Sequence, residues 1–254
     1  RLAKASRTFL EHPPQGFADY PLLSPRGMLT IARDDQQSAL DEELRRALDF
    51  VPNMRRVSVD EAIAMVPILR DTYVAEAILE PDSRDIDVNG LHGGFLRGIK
   101  ARGGAILTDA EVISLQKIAG GWNIETLGGR YKCSIVVNAA GAWADVVAGL
   151  AGVPSVGLVP KRRTALTVDA PDGVTIDGWP LVNDVGAEFY FKPDAKRLFL
   201  SPADATPSDP TDAQPEEIDV AIAVDRVERA TTLEVRRVHR RWAGLRTFAA
   251  DGSP

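Results

Sequence analysis

The sequence predicts a mixed α/β fold in which helix–strand units over residues 85–152 interrupt a β-rich region made of 15–84 and 153–248. Three observations predict it. A glycine-spaced helical pattern at 88–104 leads into short strands, and a β-branched run at 135–137 passes through small residues into a helical stretch. Beyond 152, segments of alternating polarity separated by long connections dominate. The 254 residues, 44% hydrophobic and 26% charged, allow one large domain or two ordinary ones with a substantial core. There are no internal repeats, so the solenoid architectures are set aside.

The elements follow in chain order. Residues 1–10 are helical in composition and are stopped by His12-Pro13-Pro14. "GMLTIA" (27–32) alternates as a strand, and 35–50 places Leu40, Leu44, Ala47 and Leu48 on one helical face. Ser58 followed by Glu61 is a capping-box spacing that opens a short helix, closed by Pro67. "TYVAEAILEP" (72–81) reads as a strand ended by proline. Asp87 caps a helix whose Leu91, Phe95 and Ile99 form one stripe, while Gly90, Gly94 and Gly98 leave a second face without side chains. Glycine costs a helix about 1 kcal/mol relative to alanine, so three in register point to close backbone packing.

Three short strands follow, near 105–118, 122–127 and 130–137, turned by Gly120-Gly121 and Gly128-Gly129. The later strands are 158–168, "WPLVN" at 179–183, 188–194 and 197–202. A proline-rich acidic loop, "ADATPSDPTDAQP", then leads to an amphipathic helix at 216–232 and a final alternating strand through "EVRRVHRRWAGLRTFAA".

Bulk chemistry narrows the function. A net charge of −6 gives no field favouring nucleic acid or an anionic membrane. The basic cluster 236–241 alternates with valines and lacks an RNA-binding signature, so edge-strand protection explains it more simply. No apolar run approaches the roughly 20 residues of a membrane span. The single cysteine, Cys133, excludes an internal disulfide and fits a reducing compartment, taken as the cytoplasm with peripheral inner-membrane association as a variant. His12, His92 and His239 show no metal-ligand spacing, so no metal is expected.

Two constellations carry chemistry. Where the run 134–137 meets Asn138-Ala139-Ala140-Gly141, the absence of large side chains lets backbone N–H groups approach an anion, as at dinucleotide pyrophosphate sites. Tight strand–helix packing is the plainer reading of so short a motif. The second constellation is cationic: Lys161-Arg162-Arg163 in one strand, Tyr190 in another, and Arg246 after "WAGL". Alternation turns one of Arg162 and Arg163 to each face, and two guanidinium groups with a phenol would clamp a carboxylate; solvated surface charge is the alternative.

The ordered segments "EPDSRDIDVNGLHGGFLRGIKARGG", "IVVNAAGAWAD", "PKRRTALTV", "EFYFKPD" and "WAGLRTFAADG" resemble the D-amino-acid oxidase and dehydrogenase family of FAD flavoproteins, and within it the bacterial D-arginine dehydrogenases. The resemblance spans essentially the whole chain. It implies a partial FAD-binding Rossmann-like domain (1–14 and 85–152) interleaved with a β-sheet substrate-binding domain (15–84 and 153–248). It implies that Val112 contacts the adenine through its backbone and that Ala139, Ala140, Gly141 and Trp143 lie along the pyrophosphate. Arg163, Tyr190 and Arg246 would hold the substrate carboxylate, with Gly244 in the adjoining backbone and Leu181 and Asn183 lining the side-chain pocket. The activity implied is oxidative deamination of D-amino acids to 2-oxo acids and ammonia. A hydride passes from Cα to flavin N5 with no protein base acting on Cα, and a quinone, a dye-like carrier or O2 takes the electrons.

Two departures qualify the resemblance. No G-x-G-x-x-G occurs in the chain; the family places it before the position of Arg1, and a further flavin-contacting segment after Pro254. The chain, which lacks an initial methionine, is therefore expected to be the middle of a longer enzyme and to be unable to retain FAD by itself. Where the D-arginine enzymes carry a carboxylate, this sequence has Arg26-Gly27-Met28. Met28 offers an apolar wall, so apolar D-amino acids are expected over cationic ones. A glycine-, sarcosine- or proline-type amine oxidase, or a non-catalytic fragment, are the alternatives.

Overall fold

A computed structural model describes residues 2–249. In chain order it contains α1 (Leu2–Glu11), β1 (Leu23–Pro25), β2 (Met28–Ala32), α2 (Gln37–Ala47), β3 (Arg55–Val57), α3 (Val59–Met65), β4 (Glu76–Glu80), β5 (Arg84–Ile86) and α4 (Val88–Ala101). Then come β6 (Val112–Ile118), β7 (Gly121–Thr126), β8 (Gly129–Cys133), α5 (Ala144–Leu150), β9 (Val159–Asp169), β10 (Leu181–Asp184), β11 (Tyr190–Asp194), β12 (Arg197–Ser201), β13 (Thr206–Pro207), α6 (Glu217–Ala230) and β14 (Val238–Phe248). The mixed α/β class predicted from sequence is the class observed.

The chain divides into two compact units. The first comprises residues 1–103, 164–204 and 215–242. Its sheet runs β9 (from Thr164), β12, β11, β10, β2, β4, β3; β10 and β2 are parallel and the other pairs antiparallel. One face carries Leu29, Ile31, Leu166, Val182, Phe191, Leu198 and Leu200, all buried, and Val220, Ala223, Val227 and Ala230 of α6 join the same core. Over β2 and β4 the other face is covered by α2, through Leu40 against Ala32 and Ile78. Ser58 Oγ accepts the Glu61 N–H at 3.1 Å and Asp87 Oδ1 that of Gly90 at 2.8 Å, so both predicted caps form.

The glycine face of α4 is the face that packs. A Cβ at Gly94 would run into the Phe17 ring, and one at Gly90 would lie 3.2 Å from Leu22. On the apolar stripe Phe95 and Ile99 are exposed. Phe95 stacks on Phe9 of α1, with Phe17 edge-on to both. A 3.6-residue period marks both faces, and backbone approach at the glycines selected the one that is buried.

The second unit comprises 104–163, 205–214 and 243–254, the last of these described to residue 249. β6, β7 and β8 form an antiparallel meander, and β13 pairs with Arg162 and Lys161 of β9. Here the strand predicted over 130–137 is corrected: β8 ends at Cys133, and residues 135–140 belong to no strand or helix. Ile135 and Val137 are 75% and 82% exposed. A β-branched run forms a strand only where another strand offers hydrogen bonds, and β7, the partner of β8, begins at Gly121 with Trp122 opposite Cys133, so it does not reach 135–137. The strand expected at 72–81 is likewise shorter, since 71–73 are a turn and β4 begins at Glu76.

Candidate functional site

In the second unit the turn at 138–143 is built by Asn138. Its Nδ2 donates to the Ala144 carbonyl at 2.8 Å, and its Oδ1 accepts from the Ala140 N–H at 3.2 Å. Gly141 follows at φ 55°, in the left-handed region where a side chain is strained. The next acid, Asp145, accepts from the Ser155 hydroxyl, which draws its pKa below the ordinary carboxylate value, and from the Leu158 and Val156 amides. That carboxylate therefore ties down the following loop.

Ala139, Ala140, Gly141, Ala142 and Trp143 line a cavity of about 480 Å3 together with Ala243, Gly244 and Leu245 of β14 and Thr211, Asp212 and Ala213. The turn and Gly244, assigned separately from sequence, thus share one cavity. The proline-rich loop that completes it gave no sequence signal, because 205–214 reads only as a polar connection. A Cβ at Gly141 or Gly244 would meet no atom within 4 Å. No lysine or arginine is among the lining residues, so a phosphate-bearing group fits by space and by backbone rather than by side-chain charge. Val112 opens β6 opposite Thr126, beside a bulge, and is not among the residues lining this cavity.

The clamp arginines lie on β9 and β14. Asp169 Oδ1 is 2.5 Å from His239 Nε2, and the Lys161 ammonium stands 4.5 Å over the Phe248 ring, so the two strands run antiparallel. The His239–Asp169 contact joins two strands and is invisible to a search at helical spacing. Counting back from Phe248 brings Arg246, which is exposed, to the neighbourhood of Arg162 and Arg163. Arg163 Nε is buried with no hydrogen-bond partner. A desolvated guanidinium N–H without an acceptor is costly, which makes this donor the strongest pointer to an anionic ligand.

The remaining predicted residues share one face of the first unit's sheet. Met28 opposes Leu181, Thr30 opposes Asn183, and Asn183 opposes Tyr190, and directly opposed residues point to the same side. The Tyr190 ring stacks on Phe199 at 5.8 Å, and Phe199 meets Trp242 at 5.6 Å. Arg26 is drawn elsewhere: its Nε donates to Asp85 at 2.7 Å and its Nη1 to the Trp179 carbonyl at 2.9 Å. Lys192, which sequence reading passed over, also donates to Asp85, at 2.6 Å. Burial pushes the Asp85 carboxyl up, but the Lys192 and Arg26 hydrogen bonds outweigh it and hold its pKa below the ordinary value.

A separate groove of about 990 Å3 runs beside α1 and α4, past Phe9, Leu10, Phe50 and Phe95, and holds none of the predicted residues. Among the described residues no cluster of His, Cys, Asp or Glu is arranged to hold a metal ion, and no helix is long and apolar enough to cross a membrane.

Comparison with solved structures gives the fold independently. Glycine oxidase from Geobacillus kaustophilus superposes with a TM-score of 0.81 at 21% identity, covering 100% of this chain and 68% of that one. L-proline dehydrogenase from P. horikoshii gives 0.76 at 21% identity, covering 99% and 66%. Mitochondrial dimethylglycine dehydrogenase of Mus musculus is 24% identical over 140 residues, 54% of this chain, so the alignment spans 16% of that much longer relative. The sequence model of the DAO family, FAD dependent oxidoreductase, matches residues 1–254, and the chain belongs to that family.

Proposed function

We propose that the protein oxidises the carbon–nitrogen bond of an amino acid, deaminating D-amino acids to 2-oxo acids and ammonia and favouring apolar over cationic side chains. The observation that carries this reading is the buried, unpartnered Arg163 Nε, a donor prepared for an anion. In this reading Arg163 and Arg246 bind the α-carboxylate by paired hydrogen bonds, and the Tyr190 hydroxyl donates to it. Fixing the carboxylate orients the Cα–H. Met28, Leu181 and Asn183 line the side-chain pocket. Ala139, Ala140, Gly141 and Trp143 lie along the FAD pyrophosphate, Gly244 supplies adjoining backbone, and the Val112 backbone meets the adenine. When bound, FAD supplies the acceptor for the substrate's Cα hydride. Residues 1–14 and 85–152 are assigned to FAD binding, and 15–84 and 153–248 to the substrate. The lone cysteine supports action in the cytoplasm.

A second reading, oxidation of glycine or of a secondary or tertiary amine, is favoured by the names of the relatives: glycine oxidase, L-proline dehydrogenase and dimethylglycine dehydrogenase. The test is kcat/KM of the FAD-loaded full-length protein on D-Leu, D-Met, D-Phe, D-Arg, glycine, sarcosine and proline, by dye reduction and by oxygen consumption. The first reading expects the apolar D-amino acids to lead. A strong D-Arg preference refutes the side-chain assignment, and a lead by sarcosine or proline selects the second reading. Oxygen consumption against dye reduction separates oxidase from dehydrogenase.

A further inference from the structure

The substrate face carries a cation in the middle of the predicted side-chain pocket. Lys192 follows Tyr190 by two residues on β11 and therefore points to the same side. The register that pairs Val182 with Phe191 sets Lys192 beside Leu181, whose other neighbour is Met28. On its far side Lys192 opposes Phe199, which opposes Thr167. Met28, Leu181, Lys192, Phe199 and Thr167 thus form one row across the sheet, with Asn183 and Tyr190 in the next.

Lys192 is about three-quarters buried, with a side-chain exposure of 27%. Its ammonium is steered by Asp85, and that carboxylate is shared with Arg26. The trio therefore holds two positive charges and one negative in a half-buried setting, where charge is poorly screened. Asp85 uses one ammonium proton and leaves two. In the same row Thr167 Oγ1 is buried without a hydrogen-bond partner. Glu80 opposes Met28 at the β4 end of the row, so the charges balance overall, but the spare donors lie together at Lys192 and Thr167, where they suit an oxygen acceptor and the ammonium repels a cation.

We infer that Lys192 is a specificity-determining residue that admits amino acids whose side chain ends in a carboxylate or carboxamide and rejects those ending in ammonium or guanidinium. The inference rests on the amino-acid reading above and names its substrate class. Asp85 and Arg26 act as positioning residues by fixing the lysine.

The experiment measures kcat and KM of the FAD-loaded full-length protein for D-Glu, D-Gln, D-Leu and D-Arg, in wild type, Lys192→Met and Lys192→Arg, with melting temperatures for all three. Wild type is expected to turn over D-Glu or D-Gln at least tenfold more efficiently than D-Arg. Lys192→Met should raise KM for D-Glu at least tenfold more than for D-Leu, narrow the discrimination against D-Arg, and be partly rescued in Lys192→Arg. Equal losses on D-Glu and D-Leu, tracking a fall in melting temperature, would show a structural lysine and overturn the inference. So would wild-type preference for D-Arg. If D-Leu is oxidised but D-Glu is indifferent to Lys192, only this inference falls; if none of the four reduces the flavin, the amino-acid reading falls with it.

Discussion

The two units differ in how they spend their apolar residues. The first buries a continuous core, with Phe189, Phe191, Leu198 and Leu200 fully enclosed. In the second, among the described residues, Leu115 and Pro160 are the buried apolar side chains, while Leu127, Ile135, Val137 and Val156 are each more than two-thirds exposed. The contrast teaches where precision can reside. Met28, Leu181, Asn183, Tyr190 and Lys192 sit on strands whose opposite face is locked into a packed core, so their spacing is fixed by the sheet. The turn 138–143 is held instead by one asparagine and a left-handed glycine.

Core truncation tests the contrast most strongly. Phe191→Ala should cost about 3–5 kcal/mol, whereas Leu115→Ala, with fewer packed neighbours, should fall at or below about 2 kcal/mol, the low end for such truncations. Urea melts of both variants measure the difference, and equal losses would erase the distinction between the units. Next in size, Gly94→Ala drives a methyl into the Phe17 ring and should cost about 1–3 kcal/mol. Gly141→Ala meets no neighbouring atom and should cost only the left-handed strain, about 1 kcal/mol. A reversed order would mean that the 138–143 turn is packed more tightly than α4.

The smallest effect is electrostatic. Asp184 is enclosed on the core face opposite Ile31, with Oδ1 accepting from Gln36 and the Gly186 amide, and Oδ2 making no hydrogen bond but lying 3.8 Å from Arg33 Nη1. Burial, followed by repulsion from Glu188, raises its pKa against the Glu188 amide, Gln36 and Arg33, which lower it. A raised carboxyl contributes stability that is fully present below the unfolded value of about 3.9 and is lost as pH rises through the folded one. Wild type should therefore lose ground to Asp184→Asn as pH is raised from 4 to 7, seen as converging urea midpoints. A gap that widens with pH would reverse the assignment.

Much of this was legible in the sequence, and the failures have physical causes. Ser58 and Asp87 announced their helices because a cap is a local hydrogen bond. The spacing of Gly90, Gly94 and Gly98 announced close packing, but not its partner, because Phe17 lies about 75 residues from Gly94 in the chain. The run at 135–137 read as a strand because composition reports propensity and says nothing of a pairing partner. In the site, the arginines and Tyr190 stood out by residue type. Lys192 was readable from the alternation of "FYFKPD", yet its importance came from Asp85, a residue on a different strand. The contribution of 211–213 to the turn cavity had no local signal at all.

The central claim is that an amino acid held through Arg163 gives up its hydride to FAD. Anaerobic addition of D-Leu to the FAD-loaded full-length protein, followed by the loss of oxidised-flavin absorbance in wild type and Arg163→Met, tests it directly. Wild type should bleach, and Arg163→Met should need at least tenfold more D-Leu for the same rate, since a charged hydrogen bond worth about 1.5–3 kcal/mol is removed. Bleaching at unchanged D-Leu concentration in Arg163→Met would contradict the claim, as would no bleaching of wild type by any amino acid or amine in the panel.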